Sequence, residues 1–231
     1  MNANDTWLVF DFDGTLADSF LMAHRVFNSL AERHHYRPLP EDGIETMRRQ
    51  SAKEFIAAHG IPMIKVPLVA MQARHELRQH IADIPPFRGI ADVLPILQKQ
   101  GYRMGILTSN ATDNVYDFLE SHDLDGFFDF IYCSRDIFGK ARRIKALIRK
   151  HQLDPASLIY VGDMHGDIEA AHRAGIRVAA VSWGYQAREA LASHNPTWLL
   201  DTPAELAELH TLPPSSREHP ASAHCSAQTA G

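Results

Sequence analysis

The chain has 231 residues, 45% of them apolar and 22% charged, with a formal net charge of −5 at neutral pH. That length can bury a full core within one domain, or one domain with a modest insertion, and the composition excludes a chain too polar to fold. The mildly acidic balance gives no global electrostatic reason to expect nucleic acid or an anionic membrane surface as partner, so a small anionic substrate has to be held locally.

Trp7-Leu8-Val9-Phe10 is a short apolar run that stops at Asp11-Phe12-Asp13-Gly14-Thr15-Leu16. It predicts a buried strand followed by an acidic turn. The segment 19–85 carries only helical periodicity, over 20–33, 41–59 and 66–84, punctuated by Pro38, Pro40, Gly60 and Pro62. Beyond it strands and helices alternate: helix 90–100 stopping at Gly101, strand 103–107, helix 112–122, strand 130–133, helix 140–151 with cations toward its end, and strands 158–161 and 178–181. Such alternation predicts an α/β fold, a doubly wound parallel sheet with a Rossmann-like core and an inserted all-helical domain. The expected division is a core of 1–18 and 86–212, a helical insertion of 19–85 that caps the strand ends, and a tail of 213–231 without Val, Ile, Leu, Met, Phe, Trp or Tyr. A helical layer packed permanently on the sheet is the alternative to a cap.

No apolar stretch approaches the roughly 20 residues that span a bilayer, and no basic segment followed by an apolar one opens the chain. A cytoplasmic location without a membrane partner is expected. Cys133 and Cys225 are far apart in sequence, and both are expected as free thiols.

In a parallel sheet ligands sit just beyond the carboxyl ends of the strands. Asp11 and Asp13 after the first strand, and Asp163 and Asp167 after the run Leu158-Ile159-Tyr160-Val161-Gly162, therefore face one crevice. Four carboxylates brought together need a cation to offset their repulsion, and hard oxygen donors suit Mg²⁺. Phosphoryl transfer is the chemistry such a site serves. It needs a nucleophile, a proton donor for the leaving alcohol and charge neutralisation. Asp11 is placed to attack phosphorus, and Asp13 two residues on to act as general acid and then base. Gly14 permits the tight turn, and Thr108 at a strand end offers a hydroxyl to a phosphoryl oxygen.

Four segments, Asp11-Phe12-Asp13-Gly14-Thr15-Leu16, Leu107-Thr108-Ser109-Asn110, Gly139-Lys140 and Gly162-Asp163-Met164-His165-Gly166-Asp167, resemble in order and spacing the four motifs of the haloacid dehalogenase-like hydrolases. The resemblance covers about residues 5 to 210. It is strongest to phosphatases related to phosphoglycolate phosphatase, which carry a helical cap after the first motif. It implies Asp11 as nucleophile forming an aspartyl-phosphate, the Asp13 backbone carbonyl as a metal ligand, and Lys140 as a phosphate-neutralising cation held by Asp167. It also implies Asp163 as a direct Mg²⁺ ligand, with Asp167 reaching the metal through water or orienting its neighbours. Gly14, Thr15, Ser109 and Asn110 are the candidate substrate-binding residues around the phosphoryl group, Ser109 and Asn110 through backbone N–H. Met164 and His165 depart from the small polar residues common in the fourth motif, and His165 is read as a turn histidine without a chemical duty, with a substrate contact as the alternative.

Specificity is expected from the cap. Arg48 and Arg49, placed near the start of the second cap helix, offer guanidinium forks suited to a substrate carboxylate, and a solvated helix face accounts for them equally well. His24 and Lys53 are weaker candidates; Trp183 and Tyr185 either wall the pocket or pack. The expected activity is hydrolysis of a small phosphate ester. A sugar phosphomutase, using the same phosphoaspartate behind a tighter cap, is the enzymatic alternative. A binding protein that keeps the fold is the non-enzymatic one.

Overall fold

A computed structural model describes residues 6–50, 52–133 and 139–213. Six strands, β1 (Trp7–Phe10), β2 (Arg103–Thr108), β3 (Phe130–Cys133), β4 (Leu158–Gly162), β5 (Arg177–Val181) and β6 (Trp198–Leu200), form one parallel sheet in the order β3-β2-β1-β4-β5-β6. The strands alternate strictly between two cores, as period-two geometry requires. Leu8 and Phe10, Ile159 and Val161, and Ala179 and Val181 face one side; Val9, Leu158 and Tyr160, and Val178 and Ala180 face the other. Helices α5 (Ile90–Lys99) and α6 (Thr112–Ser121) cover the first face, and α7 (Lys140–His151), α8 (His165–Ala174) and α9 (Arg188–Ala192) cover the second. This is the expected doubly wound sheet. Strand order reverses between β1 and β4, which pair in register Phe10↔Val161, so the crevice at their carboxyl ends is the topological switch point. Phe12 anchors the turn after β1 by an edge-to-face contact with Phe118 at 5.0 Å. Such a pair adds about 0.5–1.5 kcal/mol beyond the area it buries.

Between β1 and α5 the chain is helical, as expected: α1 (Phe20–His34), α2 (Ile44–Met47), α3 (Ala52–Ala58) and α4 (Val66–Gln79). These helices share a third core of Val26, Leu30, Ala31, Tyr36, Ile61 and Val69, distinct from the two that cover the sheet. The segments entering and leaving run side by side: Asp18 N–H donates to the Pro85 carbonyl at 2.9 Å and Phe87 N–H to that of Leu16 at 2.9 Å.

Three expectations are corrected. The single helix over 41–59 is two short helices, because carbonyls a continuous helix would use internally bond to a distant loop. The Arg48 carbonyl accepts from Ala187 N–H at 3.0 Å, and that of Gln50 from the Gln186 side chain at 3.4 Å. Arg48 and Arg49 therefore follow the end of α2 instead of opening a long helix. The helix from 66 stops at Gln79, with Ile84 extended before Pro85, as a residue preceding proline prefers. Strand β6, three residues long, was not anticipated. Apart from Pro213, the expected tail lies outside the described residues, as does Cys225; Cys133 is a free cysteine.

Candidate active site

Asp11 stands one residue past β1, with its N–H on the Val161 carbonyl of β4 at 2.8 Å. One carboxylate oxygen accepts from Phe12 N–H at 2.9 Å, and the other from Lys140 Nζ at 2.6 Å. Lys140 is the first residue of α7, which aims its ammonium back across the strand ends. The same ammonium donates to Asp167 Oδ1 and lies 5.3 Å from the centre of the Tyr160 ring. Burial disfavours that ammonium, but Asp11 and Asp167 outweigh it and hold its pKa well above that of an ordinary lysine.

Asp167, at the third position of α8, accepts Met164 N–H at 3.0 Å through its second oxygen, so it caps the helix and binds the lysine at once. Asp163, just beyond β4, is fully buried. Its two oxygens accept from the Thr15 hydroxyl at 3.0 Å and from Tyr185 N–H at 2.8 Å. Burial and the charges of Asp167 and Asp11 push its pKa well above the carboxylate range, and burial raises that of Asp167 despite Lys140. One oxygen each from Asp11, Asp163 and Asp167 lies within 4.8 Å of the others. A cluster of hard oxygen donors, in which Asp163 and Asp167 are buried and one ammonium serves Asp11 and Asp167, fits a small divalent cation such as Mg²⁺.

Asp13 lies on the turn, one oxygen accepting from Asn110 Nδ2 at 3.1 Å. Burial and the neighbouring Asp11 charge push it up to about 6, while hydrogen bonds from Asn110 and Ser19 act the other way. Ser19 in turn shares a hydrogen bond with the Tyr185 hydroxyl at 2.9 Å. Thr108, buried at the end of β2, accepts Asn110 N–H at 3.0 Å, and a hydroxyl that accepts still has a hydrogen to donate. Ser109 follows it, half-buried.

Several expected contacts differ in detail. Thr15 is fully buried and gives its hydroxyl to Asp163, so it orients a carboxylate where substrate contact was expected. The Asn110 N–H is already taken by Thr108, and its side chain holds Asp13 instead. Gly14 has φ +80°, and a Cβ there would overlap Asp163 and the Tyr185 ring; its freedom serves a close approach of protein to protein. Arg48 directs its guanidinium to the carbonyls of Ser182 at 3.1 Å and Gly184 at 3.0 Å, whereas Arg49 is exposed. His165 is held by Gln186, its N–H donating to Gln186 Oε1 at 2.5 Å. Trp183 packs on the core and donates to the Thr15 carbonyl at 3.1 Å. Sequence reasoning missed the Tyr185 N–H as the holder of Asp163. Its one signal was Gly184 between two aromatic residues just past a strand, where a glycine marks close backbone approach.

The profile of the family described as haloacid dehalogenase-like hydrolase matches residues 8–181. A phosphoglycolate phosphatase of Synechococcus elongatus is 31% identical over 204 residues, spanning 88% of this chain and 96% of that one. Pyrophosphatase PpaX of Bacillus cereus is 29% identical over 209 residues, covering 86% and 93%. Among solved structures, a haloacid dehalogenase-like family protein, SP0104 of Streptococcus pneumoniae, superposes with a TM-score of 0.75 at 26% identity, over 90% of this chain and 99% of the other. The family match takes in the first, second and fourth acidic or hydroxyl-bearing strand ends and Lys140, the groups that the fold gathers at its switch point. The chain belongs to the haloacid dehalogenase-like hydrolases.

Proposed function

We propose that this chain is a Mg²⁺-dependent phosphomonoesterase that hydrolyses a small phosphorylated metabolite of the phosphoglycolate kind through an aspartyl-phosphate. The observation that carries the reading is the Lys140 ammonium set between Asp11 and Asp167, beside Asp163, at the ends of β1 and β4. The names of the two relatives, a phosphoglycolate phosphatase and a pyrophosphatase, both describe hydrolysis at phosphorus and support it.

Phe12 N–H and Lys140 hold the two oxygens of Asp11 and fix the carboxylate for in-line attack on phosphorus. Asp13, with a pKa near 6, carries a proton for part of the time near neutrality and so can give it to the leaving oxygen. The resulting carboxylate then takes a proton from the water that cleaves the acyl phosphate. The Thr108 hydroxyl and Lys140 meet the charge on the phosphoryl oxygens. Asp11, Asp163 and the Asp13 backbone carbonyl would hold Mg²⁺, with Asp167 orienting Lys140; the ion when bound supplies further positive charge to the phosphoryl group. The insertion 19–85 acts as the cap that excludes water and selects the leaving group. Ser109 lies beside Thr108 at the phosphate end of the site, and the protein acts in the cytoplasm.

Phosphate release from a panel of small esters, with Mg²⁺ and with EDTA, tests this. Metal-dependent release supports the reading. Isomer formation without release favours a phosphomutase, and no turnover of any ester favours a binding protein.

A further inference from the structure

The loop 182–187 after β5 meets the Asp163 side of the site. Tyr185 N–H holds Asp163, Trp183 Nε1 holds the Thr15 carbonyl, Tyr185 Oη meets Ser19, and Gln186 Oε1 takes the His165 N–H at the start of α8. Gly184 lies so close that a Cβ would overlap the Gly14 carbonyl and the Asp163 side chain. The helical insertion grips this same loop. Arg48 Nη2 donates to the carbonyls of Ser182 and Gly184, Ala187 N–H donates to the Arg48 carbonyl, and Gln186 Nε2 reaches the Gln50 carbonyl. Arg48 thus bonds the loop with both its side chain and its backbone. Its side-chain partners on the loop are carbonyl oxygens, and among the described residues the ion pair it makes is with Glu45 at 3.5 Å, a surface contact of little strength.

We propose that Arg48 is a positioning residue: it clamps the loop 182–187 from the insertion side and so fixes the Tyr185 N–H that orients Asp163. The clamp couples the seat of the insertion to the geometry of the carboxylate cluster without touching substrate. A guanidinium serves two carbonyls separated by one residue in a way an ammonium does not, because its N–H groups are held in a rigid plane. The proposal rests on the reading of Asp163 as a site carboxylate, so its test is read without turnover.

Hydrogen exchange of the full chain, free of added metal, is measured for wild type, Arg48→Met, Arg48→Lys and Arg49→Met, each checked for folding by circular dichroism. Exchange in 183–187 is expected to rise tenfold or more in Arg48→Met, to be intermediate in Arg48→Lys, and to be unchanged in Arg49→Met, which removes an adjacent charge from an exposed position. Calorimetric titration with Mg²⁺ alone is expected to show affinity several-fold weaker in Arg48→Met. Exchange within twofold of wild type in Arg48→Met overturns the proposal, as does an equal rise in Arg49→Met. Should Arg48→Met not fold, Arg48→Lys decides on the same criteria. If turnover is found, the KM for carboxylated and aryl phosphates should shift alike in Arg48→Met, and a rise confined to carboxylated esters overturns the proposal. Failure of the phosphatase reading would leave the exchange result standing.

Discussion

Replacing Lys140 by methionine keeps the stem and removes the one ammonium that separates Asp11 from Asp167. The side chains of these carboxylates are 14% and 1% exposed, so little solvent replaces the lost charge. Breaking a buried pair by removing one partner costs about 3–5 kcal/mol. Proton uptake by a carboxylate limits that loss, since Asp163 and Asp167 already have raised pKa values. At about 2–4 °C per kcal/mol for a chain of this size, melting falls by roughly 6–20 °C. On the proposed role of Lys140, loss of a preorganised donor to the phosphoryl group should lower kcat about 10²–10³-fold. Because the folded pKa of Lys140 is raised, its stabilisation is fully present below the ordinary lysine pKa and fades as pH rises through the folded value. The melting difference between wild type and Lys140→Met should therefore be large at pH 7 and shrink in strongly alkaline buffer. Differential scanning calorimetry and steady-state phosphate release measure both effects. A variant with unaltered melting at pH 7 and kcat within threefold of wild type would refute the reasoning.

Two further outcomes follow from the same geometry. Gly14→Ala places a Cβ on Asp163 and the Tyr185 ring at a φ of +80°, where the backbone strain alone is about 1–2 kcal/mol; lowered melting and loss of Mg²⁺ binding by calorimetry are expected, and a variant of native stability and affinity would count against the packing described. The raised pKa of Asp163 means that Mg²⁺ competes with protons there, so its affinity should fall on acidification from a higher pH than isolated carboxylates would give; an affinity constant from pH 5 to pH 8 would contradict this.

Much of the core was legible because its signals are local. The apolar runs at 7–10, 103–107 and 158–161 each end at the switch point, and the parallel pairing of the first and last of them places Asp11 beside Asp163. The helical character of 19–85 was equally plain. What could not be read depends on partners far along the chain. The break after Met47 arises because Ala187 and Gln186 take backbone carbonyls from residues more than 130 positions earlier. Arg48 has the chemistry of a carboxylate binder, and only the fold reveals that two loop carbonyls occupy it. Likewise Thr15 lies within a motif read as contacting substrate, yet its hydroxyl turns to Asp163, a residue 148 positions away. Strand β6 is too short, at three residues, to carry an alternation of its own.

The most direct test of the central claim is phosphate release by Asp11→Asn beside the wild type, with Mg²⁺ and the preferred ester, both proteins matched for fold by circular dichroism. Asparagine keeps the shape of a half-buried side chain but removes the oxygen proposed as nucleophile and the charged partner of Lys140. The account predicts a folded protein whose turnover is lost. Turnover at the wild-type rate would contradict it.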